Sequence, residues 1–483
     1  MPKILRFSIF FYAALLLFVL THHVYSQDKV QKIDELVNQY AELKQFNGAV
    51  LVAEEGNIIL SKGYGMADFE NRIPNNNETK FRLASVTKQF TAMLVMQLVE
   101  KGKIKLEGKL SEYLPYYRKD IGEKITIHQI LSHTSGLANY TNNRDFMQNE
   151  SGIKAEPKEF VLKYCSEDLI FEPGTKWEYS NSGYFILGLV IEEVTGKSWE
   201  QNLQENILDP VGMTNSGYEH SDKTYDNKAK GYVSSLGDFK PARFLEMTIP
   251  YSAGSIYSTV EDMYKWDRAL YTNTLLSEPM KEIMFKPVLN NYALGWQVIE
   301  QPIGDKKVKV VTHSGGIFGF NSLITRLTDD NKFVMVLNNF EGGNINQLTL
   351  GIVNILYGLE PAKPKKSAAV ELAGLIILKG VDNALTEFSK MKDNKDEYVV
   401  RERELNQLGY NLLLENKVTE AVKVFKLNVD LYPDSWNVYD SYGEALAAAG
   451  DTENAILNYK KSIELNPENN GGKEMLKKLE GKK

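Results

Sequence analysis

Apolar and polar positions follow two different periods along the chain. Over residues 28–46 the apolar positions recur at intervals of three and four, which predicts an amphipathic helix. Two short apolar runs at 49–52 and 58–60 flank a turn of Glu, Gly and Asn, which predicts a β-hairpin. Residues 81–220 have a mostly helical pattern. Strand-like runs then return at 294–299, 307–312, 320–327 and 332–338, followed by a helix near 345–357.

Strands at both ends of this region, with helices between them, indicate one sheet built from both ends of a domain. We therefore expect an α+β architecture for residues 27–360, in which an antiparallel sheet is flanked by helices and carries a helical subdomain. A chain of 483 residues is long enough for this domain and at least one more.

The chain after this domain repeats itself with a period of 34 residues. The repeated positions are Gly409, Leu412, Ala421, Phe425 and Pro433, which recur as Gly443, Leu446, Ala455, Tyr459 and Pro467. Small residues let two antiparallel helices cross closely, and proline ends the second helix of each pair. The pattern resembles the tetratricopeptide repeat and predicts an all-α domain with two copies over residues 402–469. A generic pair of helical hairpins is the alternative.

Three further segments complete the division of the C-terminal part. We assign residues 361–368 to a polar linker, 369–401 to a degenerate helical pair, and 470–483 to a C-terminal helix or tail. Helical repeats of this type offer a concave surface for peptides or proteins. We therefore hypothesise from the sequence that this region binds a protein partner.

Composition narrows the classes of function. With 43% apolar and 25% charged residues, the chain is globular rather than disordered. The formal net charge of −7 gives no basic excess, so nucleic acid is not an expected partner. Cys165 is the only cysteine, which excludes an intramolecular disulfide. No His-Glu-x-x-His motif or cluster of Cys and His occurs, so we expect neither a metal nor a cofactor.

Residues 1–26 have the pattern of a secretory signal peptide. Lys3 and Arg6 precede an apolar run over 7–20, and small residues occupy positions 24 and 26. We expect cleavage after Ser26 and a secreted location, or a periplasmic one if the cell has an outer membrane. An uncleaved membrane anchor is the alternative.

Ser85 and Lys88 are the first candidates for chemistry. They begin a helix that is apolar almost all round as far as Lys101, which indicates burial. Free N–H groups at a helix N-terminus favour a developing oxyanion, and a lysine three residues on lies over the same face. A lysine kept neutral by its surroundings can take the proton of a serine nucleophile. A serine that only caps a helix beside a surface lysine is the alternative.

The segment Tyr179-Ser180-Asn181 is the second candidate. It follows a Pro-Gly turn at 173–174 and precedes an apolar helix, which would hold its side chains in place. A phenol on a turn can relay a proton, and a carboxamide can hold a substrate amide through both its donor and its acceptor.

The third candidate is His313-Ser314-Gly315-Gly316, which follows the predicted strand at 307–312. Glycines at a strand edge let a ligand approach the backbone closely. A plain glycine turn between two strands is the alternative.

Ser-x-x-Lys, Tyr-Ser-Asn and His-Ser-Gly, in this order, resemble the class C β-lactamase and D,D-peptidase group of serine hydrolases. The segments Phe81–Ala84, Leu131–Leu137 and Leu208–Met213 strengthen the resemblance, which covers about residues 30–357. It implies a β-lactamase/transpeptidase-like fold. In this family the segment around His133 is scaffold, so we assign it no chemistry.

The resemblance also implies a mechanism and a set of site residues. Ser85 would attack a carbonyl and form an acyl-enzyme, while Lys88 and Tyr179 share its proton. Asn181 would bind the acyl side of the substrate. The further substrate-binding residues would be His313, Ser314 and Gly315, and the oxyanion hole would consist of the N–H groups of Ser85 and Gly316.

One departure from the family pattern narrows the substrate. Many β-lactamases have Lys-Thr-Gly at the third motif, where the ammonium helps to bind a substrate carboxylate. Here His313 takes that place, and an imidazole with a reference pKa of about 6.5 supplies a hydrogen bond rather than a full charge at neutral pH. We therefore expect a D-alanyl or D-amino peptide, or a small ester, in preference to a β-lactam.

These motifs together predict an exported serine acyl-hydrolase. The alternative is a non-catalytic or slowly acylated sensor of the penicillin-binding type, which recruits a partner through its helical repeats. No Gly-x-Ser-x-Gly elbow occurs, which argues against an α/β-hydrolase. Cys165 has no motif around it that would support a cysteine hydrolase.

Overall fold

The computed structural model describes residues 28–481, so the predicted signal segment at 1–26 lies outside the described residues. Between residues 28 and 481, no helix is both long and apolar enough to cross a membrane. The described chain divides into two compact units. The first comprises the chain up to Val233 together with Pro241–Ala362, and the second comprises Ser234–Lys240 together with the chain from Lys363 onward.

The strands of the described residues are short except in one sheet. In chain order they are β1 Gly48–Glu54, β2 Asn57–Tyr64, β3 Met66–Asp68, β4 Ile73–Pro74, β5 Phe81–Arg82, β6 Gly217–Tyr218, β7 Tyr232–Ser235, β8 Asp238–Pro241, β9 Ile256–Ser258, β10 Gln297–Ile303, β11 Lys306–Ile317, β12 Phe320–Leu327, β13 Lys332–Asn338, β14 Lys366–Ser367 and β15 Tyr398–Val399.

The helices up to residue 356 belong to the first unit. They are α1 28–42, α2 Thr87–Glu100, α3 Leu110–Tyr113, α4 Lys119–Gly122, α5 Ile127–Leu131, α6 Arg144–Asn149, α7 Pro157–Tyr164, α8 Asn181–Thr195, α9 Trp199–Leu203, α10 Asp209–Val211, α11 Tyr251–Gly254, α12 Val260–Ala269, α13 Glu278–Met284 and α14 Ile345–Leu356. Single turns of 3₁₀ helix occur at Ala84–Val86, Tyr140–Asn142 and Thr328–Asp330, and a π-helical turn at Gln204–Leu208.

A six-stranded antiparallel sheet forms the framework of the first unit, in the order β10-β11-β12-β13-β1-β2. β1 pairs with β13, and Gly48 lies opposite Asn338. Strands from the beginning and the end of the unit therefore lie side by side. The predicted α+β class, with an antiparallel sheet flanked by helices, is confirmed.

β1 shows why the sheet is covered by helices on both faces. Ala49, Leu51 and Ala53 belong to the core that includes α2, whereas Val50 and Val52 belong to the core that includes α1 and α14. Successive side chains of a strand point to opposite faces, so a continuous apolar run fits a strand between two helical layers.

The N-terminal ends of α2 and α8 lie next to each other, since Lys88 of α2 contacts Asn181 of α8. α2 is buried from Thr87 to Leu98 and packs against α8. α8 begins at Asn181 and is capped by Ser180, whose Oγ accepts the N–H of Gly183 at 3.3 Å. The N-terminal ends of these two helices carry the first and second candidate motifs.

The second unit is helical. Its helices are α15 Ala368–Lys379, α16 Val381–Asp393, α17 Glu402–Leu414, α18 Val418–Leu431, α19 Trp436–Ala448, α20 Thr452–Leu465 and α21 Asn470–Glu480. α19 and α20 begin and end 34 residues after α17 and α18, because 402, 414, 418 and 431 become 436, 448, 452 and 465. A helical C-terminal region is thus present, and its assignment to the tetratricopeptide type stays a prediction.

The repeated glycines of the second unit lie against aromatic rings. A Cβ on Gly409 would lie 2.4 Å from the Phe425 ring, and one on Gly443 would lie 3.2 Å from the Tyr459 ring. Glycine is therefore needed at the helix crossing of the first pair, where the ring leaves no room for a side chain. The unit also includes the tip of the β7–β8 hairpin, whose Ser234 carbonyl accepts a 2.8 Å hydrogen bond from Asn411.

Candidate active site

Ser85 lies in the 3₁₀ turn Ala84–Val86, immediately before α2, at whose N-terminus the sequence placed it. Ala84 has a φ of 50°, a left-handed conformation that costs a non-glycine residue on the order of 1–3 kcal/mol. β11 holds this turn closely, since a Cβ on Gly315 would lie 2.2 Å from the Leu83 carbonyl oxygen and 3.1 Å from Ala84 Cβ. Ser85 is thus fixed on a strained turn between the sheet and α2.

Lys88 is fully buried in the first turn of α2. Its Nζ is 3.1 Å from Ser85 Oγ, 2.8 Å from Asn181 Oδ1 and 2.8 Å from the Ala253 carbonyl oxygen. Burial lowers the pKa of this amine well below its usual value of 10.5. Lys88 is therefore positioned and desolvated as a proton acceptor requires.

The partners of Lys88 determine where its lone pair points. Asn181 Oδ1 and the Ala253 carbonyl oxygen can only accept hydrogen bonds. A neutral amine has two N–H groups, which these two oxygens occupy at 2.8 Å each. The lone pair is then left for the third neighbour, the hydroxyl of Ser85, which can donate its proton to Nζ. This is the arrangement of a nucleophile and its general base.

The phenol of Tyr179 lies against the same amine. Lys88 Nζ is 5.0 Å from the centroid of the Tyr179 ring. Burial raises the pKa of Tyr179, while its hydrogen bond with Ser85 acts in the opposite direction. The phenol therefore keeps its proton at neutral pH and can donate it.

Asn181 is held from three sides. Its Oδ1 accepts from Lys88, its Nδ2 donates to Thr141 Oγ1 at 3.1 Å, and its backbone N–H donates to Asn139 Oδ1 at 3.1 Å. The carboxamide thus orients the lysine from a fixed position. Its role in binding the acyl side of the substrate stays a prediction.

His133, to which the sequence assigned no chemistry, supports the second motif. Its Nδ1 accepts the backbone N–H of Ser180 at 3.2 Å, and its ring centroid is 4.4 Å from that of Tyr179. Its side chain is buried, which lowers the pKa of the imidazole and keeps it neutral. Its Nε2 has no hydrogen-bond partner within residues 28–481. His133 therefore positions the turn that carries Tyr179 and Asn181.

The third motif is part of strand β11 and not a turn after the strand. β10 pairs with β11 only as far as Thr312, so the edge beyond Thr312 is open on that side. Along this edge Ser314 and Gly316 are exposed, whereas His313 and Gly315 are buried. A substrate lying along the edge would therefore meet Ser314 and the backbone at Gly316.

His313 uses both ring nitrogens within the protein. Nδ1 is 2.6 Å from the Ser314 carbonyl oxygen, and Nε2 is 3.0 Å from the Tyr292 hydroxyl. Burial lowers the pKa of His313 to about 3, and Lys88 acts in the same direction whenever its amine holds a proton. The imidazole is thus neutral at pH 7, so the third motif has no positive charge here.

Sequence reasoning missed three parts of this site. Tyr292 precedes the predicted strand at 294–299 in a segment without a motif, and the Ala253 carbonyl is backbone, which no motif marks. His133 lies in a segment that carried the family resemblance, but no local pattern linked it to Ser180. Each of these contacts joins residues that are distant in the chain.

Two other chemistries have little support from the geometry. Cys165 is buried, and burial raises the pKa of its thiol, which makes it a poor nucleophile. In the part of the chain that the structure describes, no three His, Cys, Asp or Glu side chains are grouped as a metal ion would require.

Known proteins share both the sequence and the fold of the first unit. A family model described as Beta-lactamase matches residues 33–349. Penicillin-binding protein 4* of Bacillus subtilis is 32% identical over 375 residues, which cover 72% of this chain and 81% of that protein. A teichoic acid D-alanine hydrolase of Staphylococcus aureus is 31% identical over 325 residues, which cover 65% of this chain and 75% of that protein. An octameric penicillin-binding protein homologue from Pyrococcus abyssi superimposes with a TM-score of 0.61 at 26% identity, covering 69% of this chain and 78% of the other.

Proposed function

The chain belongs to the beta-lactamase family of serine hydrolases, and we propose that it hydrolyses an ester or amide bond through an acyl-enzyme on Ser85. The observation that carries the proposal is the buried amine of Lys88, whose lone pair is left facing Ser85 Oγ at 3.1 Å. A surface lysine beside a capping serine would have neither the burial nor the two accepting oxygens.

Acylation begins when Ser85 Oγ attacks the carbonyl carbon of the substrate and its proton moves to Lys88 Nζ. Negative charge develops on the carbonyl oxygen as the tetrahedral intermediate forms. We assign the N–H groups of Ser85 and Gly316 to this oxygen, and Gly316 lies on the open edge of β11. Removing one such donor typically costs about 10²–10³ in rate.

The leaving group needs a proton when its bond to the carbonyl carbon breaks. Tyr179 supplies this proton, because burial keeps its phenol protonated at neutral pH. The ammonium of Lys88 then returns the first proton to Tyr179. In the second half-reaction water attacks the acyl carbon and gives its proton to the Lys88–Tyr179 pair, which reprotonates Ser85 Oγ as the free acid leaves.

We propose a D-alanyl or D-amino peptide, or a small ester, as the substrate. The relative named a teichoic acid D-alanine hydrolase supports a D-alanyl acyl group. The neutral His313 supports a substrate other than a β-lactam, since it supplies no cation for a carboxylate.

Two further proposals concern the molecule around the site. Residues 1–26 have the pattern of an export signal, and relatives named penicillin-binding proteins support a location outside the cytoplasm. The 34-residue offset between helix pairs supports two tetratricopeptide repeats over 402–469, with a protein as their ligand.

The test is turnover by residues 27–483 and by a Ser85→Ala variant. The panel contains an activated ester, a D-alanyl-D-alanine peptide, a D-amino-acid amide and a cephalosporin, with intact-mass detection of any adduct. The matched control is Ser389→Ala, because exposed Ser389 and Lys392 in α16 have the same Ser-x-x-Lys spacing. We expect the Ser85→Ala variant to lose turnover and the control to retain it.

The other outcomes separate the alternatives. An adduct on Ser85 that never clears would favour the acylated sensor over the hydrolase. Neither turnover nor an adduct, from a protein whose circular dichroism shows it to be folded, would contradict the proposed function for these substrates.

A further inference from the structure

We propose that Tyr292 is a specificity-determining residue, which holds His313 as an uncharged hydrogen-bond acceptor and so selects substrates whose leaving group carries no carboxylate. The proposal deepens the proposed function and rests on it. The His313 ring makes two hydrogen bonds, from Nδ1 to the Ser314 carbonyl oxygen at 2.6 Å and between Nε2 and the Tyr292 hydroxyl at 3.0 Å.

The hydrogen bonds of His313 define its tautomer. The Ser314 carbonyl oxygen can only accept, so Nδ1 must carry a proton. In a neutral ring Nε2 is then an acceptor, and the Tyr292 hydroxyl donates to it. A cationic ring would place an N–H on Nε2, and the phenol would have to turn its own proton elsewhere. Tyr292 therefore stabilises the neutral ring directly.

The groups around His313 provide no compensating negative charge. The Tyr179 ring centroid is 6.4 Å from that of His313, and the Tyr292 ring centroid is 5.8 Å from it. Lys88 and His133 are the other titratable groups that act on it, and both are bases. A positive charge on His313 would thus be buried among phenols and other bases, which disfavours it.

The position of His313 makes its charge decisive for the leaving group. It lies at the start of the open edge of β11, and by the resemblance to β-lactamases this is the place where a lysine would attract a substrate carboxylate. On that edge Ser314 and Gly316 are exposed and uncharged. A leaving group that ends in a carboxylate would be partly desolvated there beside a neutral imidazole, whereas an amide or hydroxyl would lose nothing comparable. The guanidinium of Arg243 lies 4.5 Å from the Phe318 ring, farther along the chain from His313, and donates to the Met147 and Gln148 carbonyls.

A pair of esters that differ in one group tests this selectivity. Both carry an N-acetyl-D-alanyl group, and the leaving alcohol is glycolate in one and glycolamide in the other. We expect the intact protein to prefer the glycolamide ester in kcat/KM by about tenfold or more. The carboxylate of the glycolate ester meets a neutral His313, which cannot give it a charge-assisted hydrogen bond. This preference should stay constant between pH 8 and pH 5.

The variant is Tyr292→Phe, which removes the hydroxyl and keeps the ring. Without the donated hydrogen bond the pKa of His313 rises, so Nε2 takes up a proton more readily in acid. We expect the preference for glycolamide to fall by about twofold between pH 8 and pH 5 in this variant alone, because the lost hydrogen bond shifts the pKa by about one unit while burial continues to lower it. The control is Tyr117→Phe, because the buried Tyr117 hydroxyl donates to the Cys165 carbonyl at 2.7 Å and contacts neither His313 nor Tyr292.

A spectroscopic readout separates this role from simple support of the fold. The ¹⁵N shifts of the His313 ring, assigned with a His313→Asn variant, should report a neutral Nδ1–H tautomer from pH 8 to pH 5 in the intact protein. They should report partial protonation at pH 5 in Tyr292→Phe. A ring in the intact protein that protonates above pH 6, or a variant with unchanged shifts and an unchanged ester preference, would overturn the inference.

The outcomes also distinguish this inference from the proposed function. Equal turnover of both esters by the intact protein would overturn the inference and leave the acyl-hydrolase standing. The absence of turnover and of any Ser85 adduct with either ester would overturn the proposed function and the selectivity with it.

Discussion

The amine of Lys88 is buried among uncharged groups, and its two accepting partners, Asn181 Oδ1 and the Ala253 carbonyl, fix its orientation. The same burial that makes it a base at neutral pH opposes folding, because the unfolded chain would hold a proton on this amine. At this site, catalytic competence and stability are therefore linked through one pKa.

That linkage predicts a pH-dependent stability. Between the lowered folded pKa and the usual value of 10.5, the unfolded state binds more protons, so the free energy of unfolding rises with pH. For one proton the slope is about 1.4 kcal/mol per pH unit. We expect Lys88→Met to lose activity and to lack this slope between pH 7 and pH 9 in urea unfolding followed by tryptophan fluorescence. The control is Lys101→Met, at an exposed lysine. The prediction would be contradicted if the free energy of unfolding changed with pH equally in Lys88→Met and in the unsubstituted protein.

Two adjacent glycines of β11 should respond differently to the same substitution. A Cβ on Gly315 would lie 2.2 Å from the Leu83 carbonyl and would push the Ser85 turn away from the sheet. A Cβ on Gly316 would meet only Asn321 Oδ1, at 3.4 Å. Since a displacement of about 1 Å can cost about 10²-fold, we expect Gly315→Ala to lower kcat/KM by that order and Gly316→Ala by less than about tenfold. A smaller effect at Gly315 than at Gly316 in steady-state kinetics would refute this.

At the scale of elements, the sheet and the helical pairs differ in what specifies them. β1 is specified by a run of apolar residues that serve two cores, as its alternation between the two clusters shows. The helical pairs of the second unit are specified by a close approach, in which Gly409 of α17 admits the Phe425 ring of α18. At this crossing the facing ring therefore limits the volume of the side chain at position 409.

The space around two glycines of the second unit predicts opposite effects of their substitution by alanine. In Gly409→Ala the new Cβ would lie 2.4–2.6 Å from carbon atoms of the Phe425 ring, an overlap that typically costs about 1–3 kcal/mol. In Gly374→Ala, on α15, the Cβ would have no atom within 4 Å, and alanine typically stabilises a helix by about 0.5–1 kcal/mol over glycine.

The measurement is thermal unfolding followed by far-ultraviolet circular dichroism, with ester turnover recorded in parallel. We expect Gly409→Ala to lower the transition of the helical unit and Gly374→Ala to leave or raise it. Equal midpoints for the two variants would show that the α17–α18 crossing does not need glycine.

At the scale of the whole molecule, the chain combines a hydrolase unit with a helical unit that has a core of its own. Four consecutive helices of the second unit follow one 34-residue period, and the proposed acyl-transfer groups Ser85, Lys88 and Tyr179 all belong to the first. The two units therefore support separate proposals, one for chemistry and one for a protein ligand.

The proposed export makes a prediction for the full-length protein. When it is produced with residues 1–26 in a bacterium with a general secretion system, we expect the mature chain to begin at Gln27. N-terminal sequencing of the exported fraction measures this. Replacing the apolar residue Leu16 with arginine should retain the protein in the cell, and a mature chain that still begins at Met1 outside the cytoplasm would contradict cleavage.

Much of the fold could be predicted from the sequence because its signals are local. The strand runs, the mainly helical middle and the 34-residue repeat are patterns within short windows, and the predicted α+β class was right. The predicted end of β11 was wrong by five residues, because the prediction stopped at Thr312 and the observed strand continues to Ile317. Glycines weaken the strand pattern, but here pairing with β12 holds His313–Gly316 extended.

The sequence by itself determined which residues could form the site, because Ser85 and Lys88 are one helical turn apart and the other two motifs are contiguous segments. Only the tertiary structure decided their chemical states. The Ala253 carbonyl, which helps to direct the lone pair of Lys88, is 165 residues away in the chain. Tyr292, whose hydroxyl is hydrogen-bonded to buried His313, belongs to a segment without a motif. Burial and hydrogen-bond partners set a pKa, and both arise only when distant segments pack together.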